Sequence, residues 1–254
     1  MKLPTVVSHR GAAASAPENT LAGIRRAAAL GARWVEFDAM LTADDRCVLF
    51  HDDLLDRTTD AKGPIAEVPY ETVRRLDAGS WFAPEFAGEP VPSLEAALAE
   101  VVALGLRVDL EIKPSAGREV ETATAVMAEV RALWPKRSPP PLITSYEPEC
   151  LEVARDAAPG WPRGLICFRL PGDWRARLEA LGCRILVCMH GTLTRRKVTA
   201  ITEAGIALMT FTVNRPRRAA KLWRWGVSSI ITDAPELILP LAPDGARAPA
   251  PAAR

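Results

Sequence analysis

Leu110-Glu111-Ile112-Lys113-Pro114 places an acid and a base on alternate residues of an apolar run. Alternate residues of a strand share a face. Leu110 and Ile112 therefore pack one way while Glu111 and Lys113 point the other. A face carrying a carboxylate and an ammonium cannot lie in dry core unless its charges are paired or bind a metal. The run reads as a strand, residues 107–113, with a packing side and a chemical side. A helical pattern follows at 118–134, then another apolar strand-like run at 141–145. The rhythm extends in both directions. Further strands are predicted at 4–9, 33–38, 163–167, 184–189, 206–212 and 228–232. Helices are predicted at 19–30, 93–104, 147–157, 173–181, 194–204 and 215–225, with a short one from 234. This alternation predicts a parallel sheet covered by helices. Eight such units within 254 residues favour an α/β fold of the closed (β/α)8 TIM-barrel type over an open sheet.

One segment breaks the rhythm. Residues 39–92 are too long for a single strand-to-helix loop. They hold a short strand (47–51), a turn at Lys62-Gly63-Pro64, and Trp81, Phe82 and Phe86. They are expected to form a small insertion after strand two, over one end of the barrel, with the three aromatics as its own core. The expected organisation is one domain over 1–240 and a disordered Ala- and Pro-rich tail over 241–254. Asn19-Thr20 and Ser93 are helix caps by type, Pro148 suits a first turn, and Asp233 is placed to cap the last helix.

Composition narrows the function. The net charge of +1 gives no electrostatic case for binding nucleic acid or an acidic membrane. No apolar run reaches the roughly 20 residues that span a bilayer. Met1–Pro4 leads straight into a strand without a signal-like apolar segment, and the five cysteines are scattered and odd in number. Both point to a reduced, cytoplasmic setting. Monomer and homodimer are both compatible with the sequence. P-loop, GxGxxG and CxxC patterns are absent, which argues against P-loop nucleotide hydrolysis, dinucleotide cofactors and zinc ribbons.

The polar residues that remain gather at one rim. Barrel enzymes work at the C-terminal ends of their strands. The predicted ends bring His9 and Arg10 from strand one, Glu36 and Asp38 from strand two, and Glu111 and Lys113 from the 107–113 strand. His51 and Asp52 open the insertion beside strand two. Three carboxylates without a cysteine suit a hard cation such as Mg²⁺ or Ca²⁺. Arg10 and Lys113 suit an anionic substrate. Two of only three histidines sit here, and imidazoles exchange protons near neutrality. Together these groups suit cleavage of a phosphate ester, the positive charges stabilising the transition state.

The motifs HRG (9–11), APENT (16–20), EFD (36–38), HDD (51–53), DAGSW (77–81), LEIKP (110–114), TVN (212–214) and ITDAP (231–235) occur in that order. The series resembles the glycerophosphodiester phosphodiesterase family, and most of all its bacterial cytosolic members. The resemblance implies a barrel with an inserted small domain, and hydrolysis of glycerophosphodiesters to sn-glycerol 3-phosphate and an alcohol such as choline or ethanolamine. It implies a divalent cation, Mg²⁺ or Ca²⁺, on Glu36, Asp38 and Glu111. His9 and His51 would be the acid–base pair, and Arg10 and Lys113 would bind the phosphate. A neighbouring glycerol hydroxyl would attack first, giving a cyclic phosphate that water opens. Phe211 stands where the family usually has Trp and is expected to wall the substrate pocket with an altered fit. Ser228-Ser229 replaces a common Asp-Gly, and Cys188-Met189-His190 replaces a common Asn.

Other readings stay in view. His190 reads as a structural histidine, and the basic run at 215–224 as a solvated helix face. Asn19 is expected to cap its helix while Glu18 orients Arg10 or supports the metal. Asp52 and Asp53 are candidates to support the metal and the histidines. A lysophospholipase of C or D type would keep the site but need an apolar groove at the rim. A non-catalytic barrel binding metal and phosphate would need a histidine out of reach of the phosphate.

Overall fold

The computed structural model describes residues 3–243. In chain order its strands and α-helices are β1 (Val6–Ser8), α1 (Leu21–Ala29), β2 (Trp34–Leu41), β3 (Cys47–Leu49), α2 (Tyr70–Val73), α3 (Leu94–Ala103), β4 (Arg107–Ile112), α4 (Glu119–Leu133), β5 (Leu142–Ser145), α5 (Pro148–Ala157), β6 (Arg163–Cys167), α6 (Trp174–Leu181), β7 (Ile185–Met189), α7 (Arg195–Glu203), β8 (Ala207–Phe211), α8 (Pro216–Trp225), β9 (Ser229–Thr232) and α9 (Pro235–Ile238). Strands β1, β2 and β4–β9 pair in parallel, and β1 joins both β9 and β2. The result is a closed eight-stranded (β/α)8 barrel. β3 lies outside the ring, antiparallel to β2.

The alternation that predicted the strands also sorts their side chains. On β4, Val108, Leu110 and Ile112 are fully buried against the helices, each contributing about 1.5–3 kcal/mol of apolar burial. On β2, Val35, Phe37, Ala39 and Leu41 do the same, while Trp34, Glu36 and Asp38 face the barrel axis. β2 runs three residues past its predicted end. Ala39-Met40-Leu41 continue the apolar pattern and pair with Cys47–Leu49. Glu36 and Asp38 are thus mid-strand, in register with Asp109 and Glu111 of β4.

The lower barrel is filled by Val7, Trp34, Leu142, Ile166, Ile185, Val187, Met209 and Ile231. Polar residues occupy the upper layers. The insertion packs its own core from Met40, Val48, Phe50, Leu55, Ile65, Val73, Ala78 and Val91. Trp81, Phe82 and Phe86 are not part of it, contrary to expectation. Their helix-like turns run along the rim instead, and Trp81 is 39% exposed. The start of the predicted tail is ordered, since Leu241 ends a 3-10 turn and Ala242 packs on the core. The rest of that tail lies outside the described residues.

Candidate active site

A sharp turn after β1 starts the site. Arg10 (φ 48°) and Asn19 (φ 54°) both adopt left-handed backbone, a strained state that persists only where the surroundings over-determine it. Gly11 (φ 87°) crosses so close to α1 that a Cβ there would lie 2.5 Å from the Gly23 carbonyl carbon. The Arg10 N–H donates to Glu36 Oε2 at 3.0 Å. The Arg10 guanidinium donates to Glu18 Oε1 at 2.8 Å and pairs with Asp38 Oδ2 at 3.2 Å. Burial alone would weaken its hold on the proton, but Asp38, Glu18 and Glu36 more than offset that. Glu18 thus orients Arg10, as expected.

Asn19 does not cap α1. Thr20 does, its hydroxyl accepting from the Gly23 N–H. The Asn19 amide is used on Asp38, donating to Oδ2 at 2.9 Å and accepting from the Asp38 N–H at 3.2 Å. It pins that carboxylate from behind.

Glu36, Asp38 and Glu111 each bring one carboxylate oxygen to within 4.8 Å of the others. Glu36 and Asp38 are buried, and Glu36 Oε1 has no hydrogen-bond partner. Burial, with Asp38 and Glu111 beside it, pushes Glu36 well above the usual carboxylate range. Burial and then the Asp38 charge push Glu111 up to about 8. Asp109, one layer below, is pushed to about 7 by burial despite the Thr144 hydroxyl at 2.8 Å. Burial acts on Asp38 in the same sense, but Arg10, His51 and Lys113 hold it below its ordinary value. So much acidity around two fixed cations, with an orphaned buried oxygen, fits a hard divalent cation. These three residues could hold one.

Both histidines are aimed by carboxylates. The His9 Nδ1–H donates to Asp233 Oδ1 at 2.6 Å, and its Nε2 lies 3.8 Å from Glu36 Oε2. The His51 Nδ1–H donates to Asp52 Oδ1 at 2.6 Å, leaving Nε2 to accept from Lys113 Nζ at 3.0 Å. Burial, helped by Arg10 and Lys113, lowers the His51 pKa, with Asp38 and Asp52 opposing. Asp233 was expected to cap the last helix, yet α9 has no side-chain cap. Its carboxylate is held between His9 and Asn214, whose Nδ2 donates to Oδ2 at 2.7 Å. Asp52 supports His51, as the expectation allowed. Asp53 supplies only a backbone carbonyl to the Ile65 N–H. Arg57, which gave no signal in the sequence, bridges Glu18 and Asp52 with bonds of 2.6–2.9 Å.

A cavity of about 300 Å³ opens over these groups, lined by His9, Arg10, Glu36, His51, Glu111 and Lys113. Phe211 walls it, as expected, and stands edge-on to Tyr146 at 6.3 Å. Nothing local in the sequence marks Tyr146, since a lone Tyr after a strand carries no signature. His190 is not among the residues lining the cavity, and its Nδ1 accepts from Arg218 at 3.2 Å. Seven of the eight expected residues therefore line one space, and Asp38 lies buried behind them with a carboxylate oxygen within 4.8 Å of those of Glu36 and Glu111. The arrangement can bind a cation and an anion side by side between two proton-exchanging imidazoles.

Known proteins show the same architecture. The family model for glycerophosphoryl diester phosphodiesterases matches residues 9–237. A glycerophosphodiester phosphodiesterase of Caldanaerobacter subterraneus is 31% identical, over 94% of this chain and 98% of its own length. The solved structure of an Oleispira antarctica phosphodiesterase, in complex with the product sn-glycerol-3-phosphate, superposes with a TM-score of 0.92. It is 37% identical over 94% of this chain and 96% of that one. A glycerophosphodiester phosphodiesterase from Agrobacterium tumefaciens follows at a TM-score of 0.77 and 28% identity, covering 92% of this chain and 98% of that one. With nearly its whole length matched by the family model and by relatives above 30% identity, this chain belongs to the glycerophosphoryl diester phosphodiesterase family and is an enzyme of that class.

Proposed function

We propose that this enzyme hydrolyses glycerophosphodiesters to sn-glycerol 3-phosphate and an alcohol. His9 and His51 exchange the protons, and a divalent cation, Mg²⁺ or Ca²⁺, sits on Glu36, Asp38 and Glu111. One observation carries this reading. Two imidazoles, each with Nδ1–H fixed on an aspartate, face the cavity that holds Arg10, Lys113 and the carboxylate cluster. That arrangement also speaks against a barrel that only binds, because neither histidine is out of reach.

When bound, the cation supplies Lewis-acid stabilisation of charge on the phosphoryl oxygens. The protein's own groups do the rest. Arg10 and Lys113 take the phosphate's negative charge. In the free enzyme the Lys113 ammonium donates to His51 Nε2. An arriving phosphate competes for that ammonium and frees Nε2 to accept a proton. The neighbouring glycerol hydroxyl attacks phosphorus, giving its proton to one imidazole. The departing alkoxide takes a proton from the other. Water then opens the cyclic phosphate with the two roles reversed, which restores both imidazoles. Phe211 packs on the substrate's organic part. We place the reaction in the cytoplasm, where the five free cysteines stay reduced.

The test compares glycerophosphoethanolamine with a lysophospholipid as substrates for the wild type, His9→Ala and His51→Ala. The expected result is release of glycerol 3-phosphate from the diester, little cleavage of the lysolipid, and loss of turnover in both variants with melting curves unchanged in shape. Faster cleavage of the lysolipid, or a fully active histidine variant, would overturn the proposal.

A further inference from the structure

A second cavity, of about 340 Å³, adjoins the first and shares His9 and Arg10 with it. The rest of its wall includes Trp81 and Phe82 of the insertion together with Glu18, Arg57, Asn214 and Asp233. The aromatic wall is held by its own contacts. The Trp81 indole N–H donates to the Ala78 carbonyl at 2.8 Å. Trp81 meets Phe82 edge-on at 5.7 Å, and Phe82 meets Phe86 at 5.6 Å. Gly79 lets this ladder close, since a Cβ there would lie 1.8 Å from the Phe86 carbonyl oxygen.

A phosphodiester has two arms, and the two cavities part at the residues nearest the phosphate. The glycerol arm carries hydroxyls that need partners. The barrel cavity offers them, with Tyr146, Thr212 and the carboxylates in its wall. The second cavity has little left to offer. Glu18 Oε1 and Oε2 already accept from Arg10 and Arg57, and Asp233 Oδ1 and Oδ2 from His9 and Asn214. Its fixed charges also cancel, Glu18 and Asp233 against Arg10 and Arg57.

Building on the diesterase reading above, we propose that the cavity between Trp81, Phe82 and Asp233 is the leaving-group subsite, and that it prefers a quaternary-ammonium alcohol to a primary-ammonium one. A trimethylammonium has no N–H to satisfy and is attracted to an indole face. A primary ammonium has three donors. In a wall whose carboxylate oxygens each already accept at least one bond it finds fewer partners than in water, and must stay hydrated or lose bonds. The exposed indole of Trp81 is thus a specificity-determining group.

The test is the ratio of kcat/KM for glycerophosphocholine to that for glycerophosphoethanolamine, with the methyl ester of glycerol 3-phosphate as a third substrate. The expected wild-type ratio is about ten, within the range of cation–π interactions. Trp81→Ala and Phe82→Ala should each bring the ratio towards one, mainly by slowing the choline ester. Trp81→Phe, which keeps a ring, should retain part of it. Melting curves identify any variant that fails to fold, and Trp81→Phe then carries the comparison. A wild-type ratio near one, or a ratio that survives loss of both rings, overturns the subsite and leaves the diesterase reading standing. No cleavage of any of the three esters by the wild type overturns both.

Discussion

Replacing Asp233 by Asn should cripple turnover while sparing the fold. The Asp233 carboxylate serves two donors at once, the His9 Nδ1–H at 2.6 Å and the Asn214 Nδ2–H at 2.7 Å. Asparagine has one carbonyl oxygen and one NH₂ in the same places. If the oxygen stays with His9, a charge-assisted bond becomes a neutral one. The loss is then about 1–1.5 kcal/mol, or roughly five- to twelvefold in rate. If the oxygen turns to Asn214, the NH₂ faces His9 Nδ1 and forces the proton onto Nε2. Asn214 favours the second outcome, because its own Oδ1 is already occupied by the Asp233 N–H at 2.9 Å and the Thr232 hydroxyl at 3.0 Å. It cannot turn round to suit the new amide. The wrong tautomer costs as much as ~10⁴ in kcat where an aspartate orients a catalytic histidine. The expected loss in Asp233→Asn is therefore about 10²–10⁴-fold in kcat, with Tm lower by only about 2–4 °C. Steady-state kinetics and thermal melting measure both. Adding His9→Ala to Asp233→Asn should cost no more than His9→Ala alone, since both act through one imidazole. An Asp233→Asn enzyme within twofold of wild type would show that this carboxylate does not set the His9 tautomer.

Three further outcomes follow from the same geometry. Mg²⁺ or Ca²⁺ at a hundred times its Kd should stabilise the wild type by about 2.7 kcal/mol, or roughly 5–10 °C in Tm. Glu36→Gln and Glu111→Gln should abolish that shift in a thermal melt, and an undiminished shift would move the cation elsewhere. Burial lowers the His51 pKa from its ordinary 6.5, so folding favours its neutral form, and the acid limb of kcat/KM, where this imidazole is protonated, should lie below pH 6.5. Asp52 raises that pKa, so Asp52→Asn should move the acid limb further down and also lower the plateau; an upward move would contradict the assignment. Gly11→Ala combines a left-handed φ with a backbone clash and should cost about 2–4 kcal/mol in a denaturant titration.

What the sequence disclosed was whatever alternates or clusters locally. Glu36 and Asp38, or Glu111 and Lys113, stand out because a charge every second residue in an apolar run has few structural explanations. The strand and helix positions emerged from the same periodicity, and their ends shifted by only a few residues. β2 ran longest past its prediction, since its last three residues answer to β3 and not to the barrel. The misreadings concern partners distant in sequence. Asp233 looks like a cap beside Ala234-Pro235, but barrel closure through β1 and β9 brings it to His9, 224 residues away. Asn19 precedes a helix and reads as its cap, yet Thr20 next to it does that work and frees the amide for Asp38. Trp81, Phe82 and Phe86 are apolar enough for a core, but Met40, Val48, Phe50 and residues of the insertion's turns fill it instead. Arg57 and Tyr146 are isolated polar residues whose partners only the fold assembles.

In the proposed mechanism the carboxylate cluster and its two imidazoles cleave glycerophosphodiesters with the help of a divalent cation. Release of sn-glycerol 3-phosphate from glycerophosphocholine by metal-stripped protein tests it most directly, with Mg²⁺ or Ca²⁺ then added and finally removed by EDTA. No release is expected before the metal, turnover after it, and loss again with the chelator. Equal release in all three conditions, or none from folded, metal-loaded protein, would contradict it.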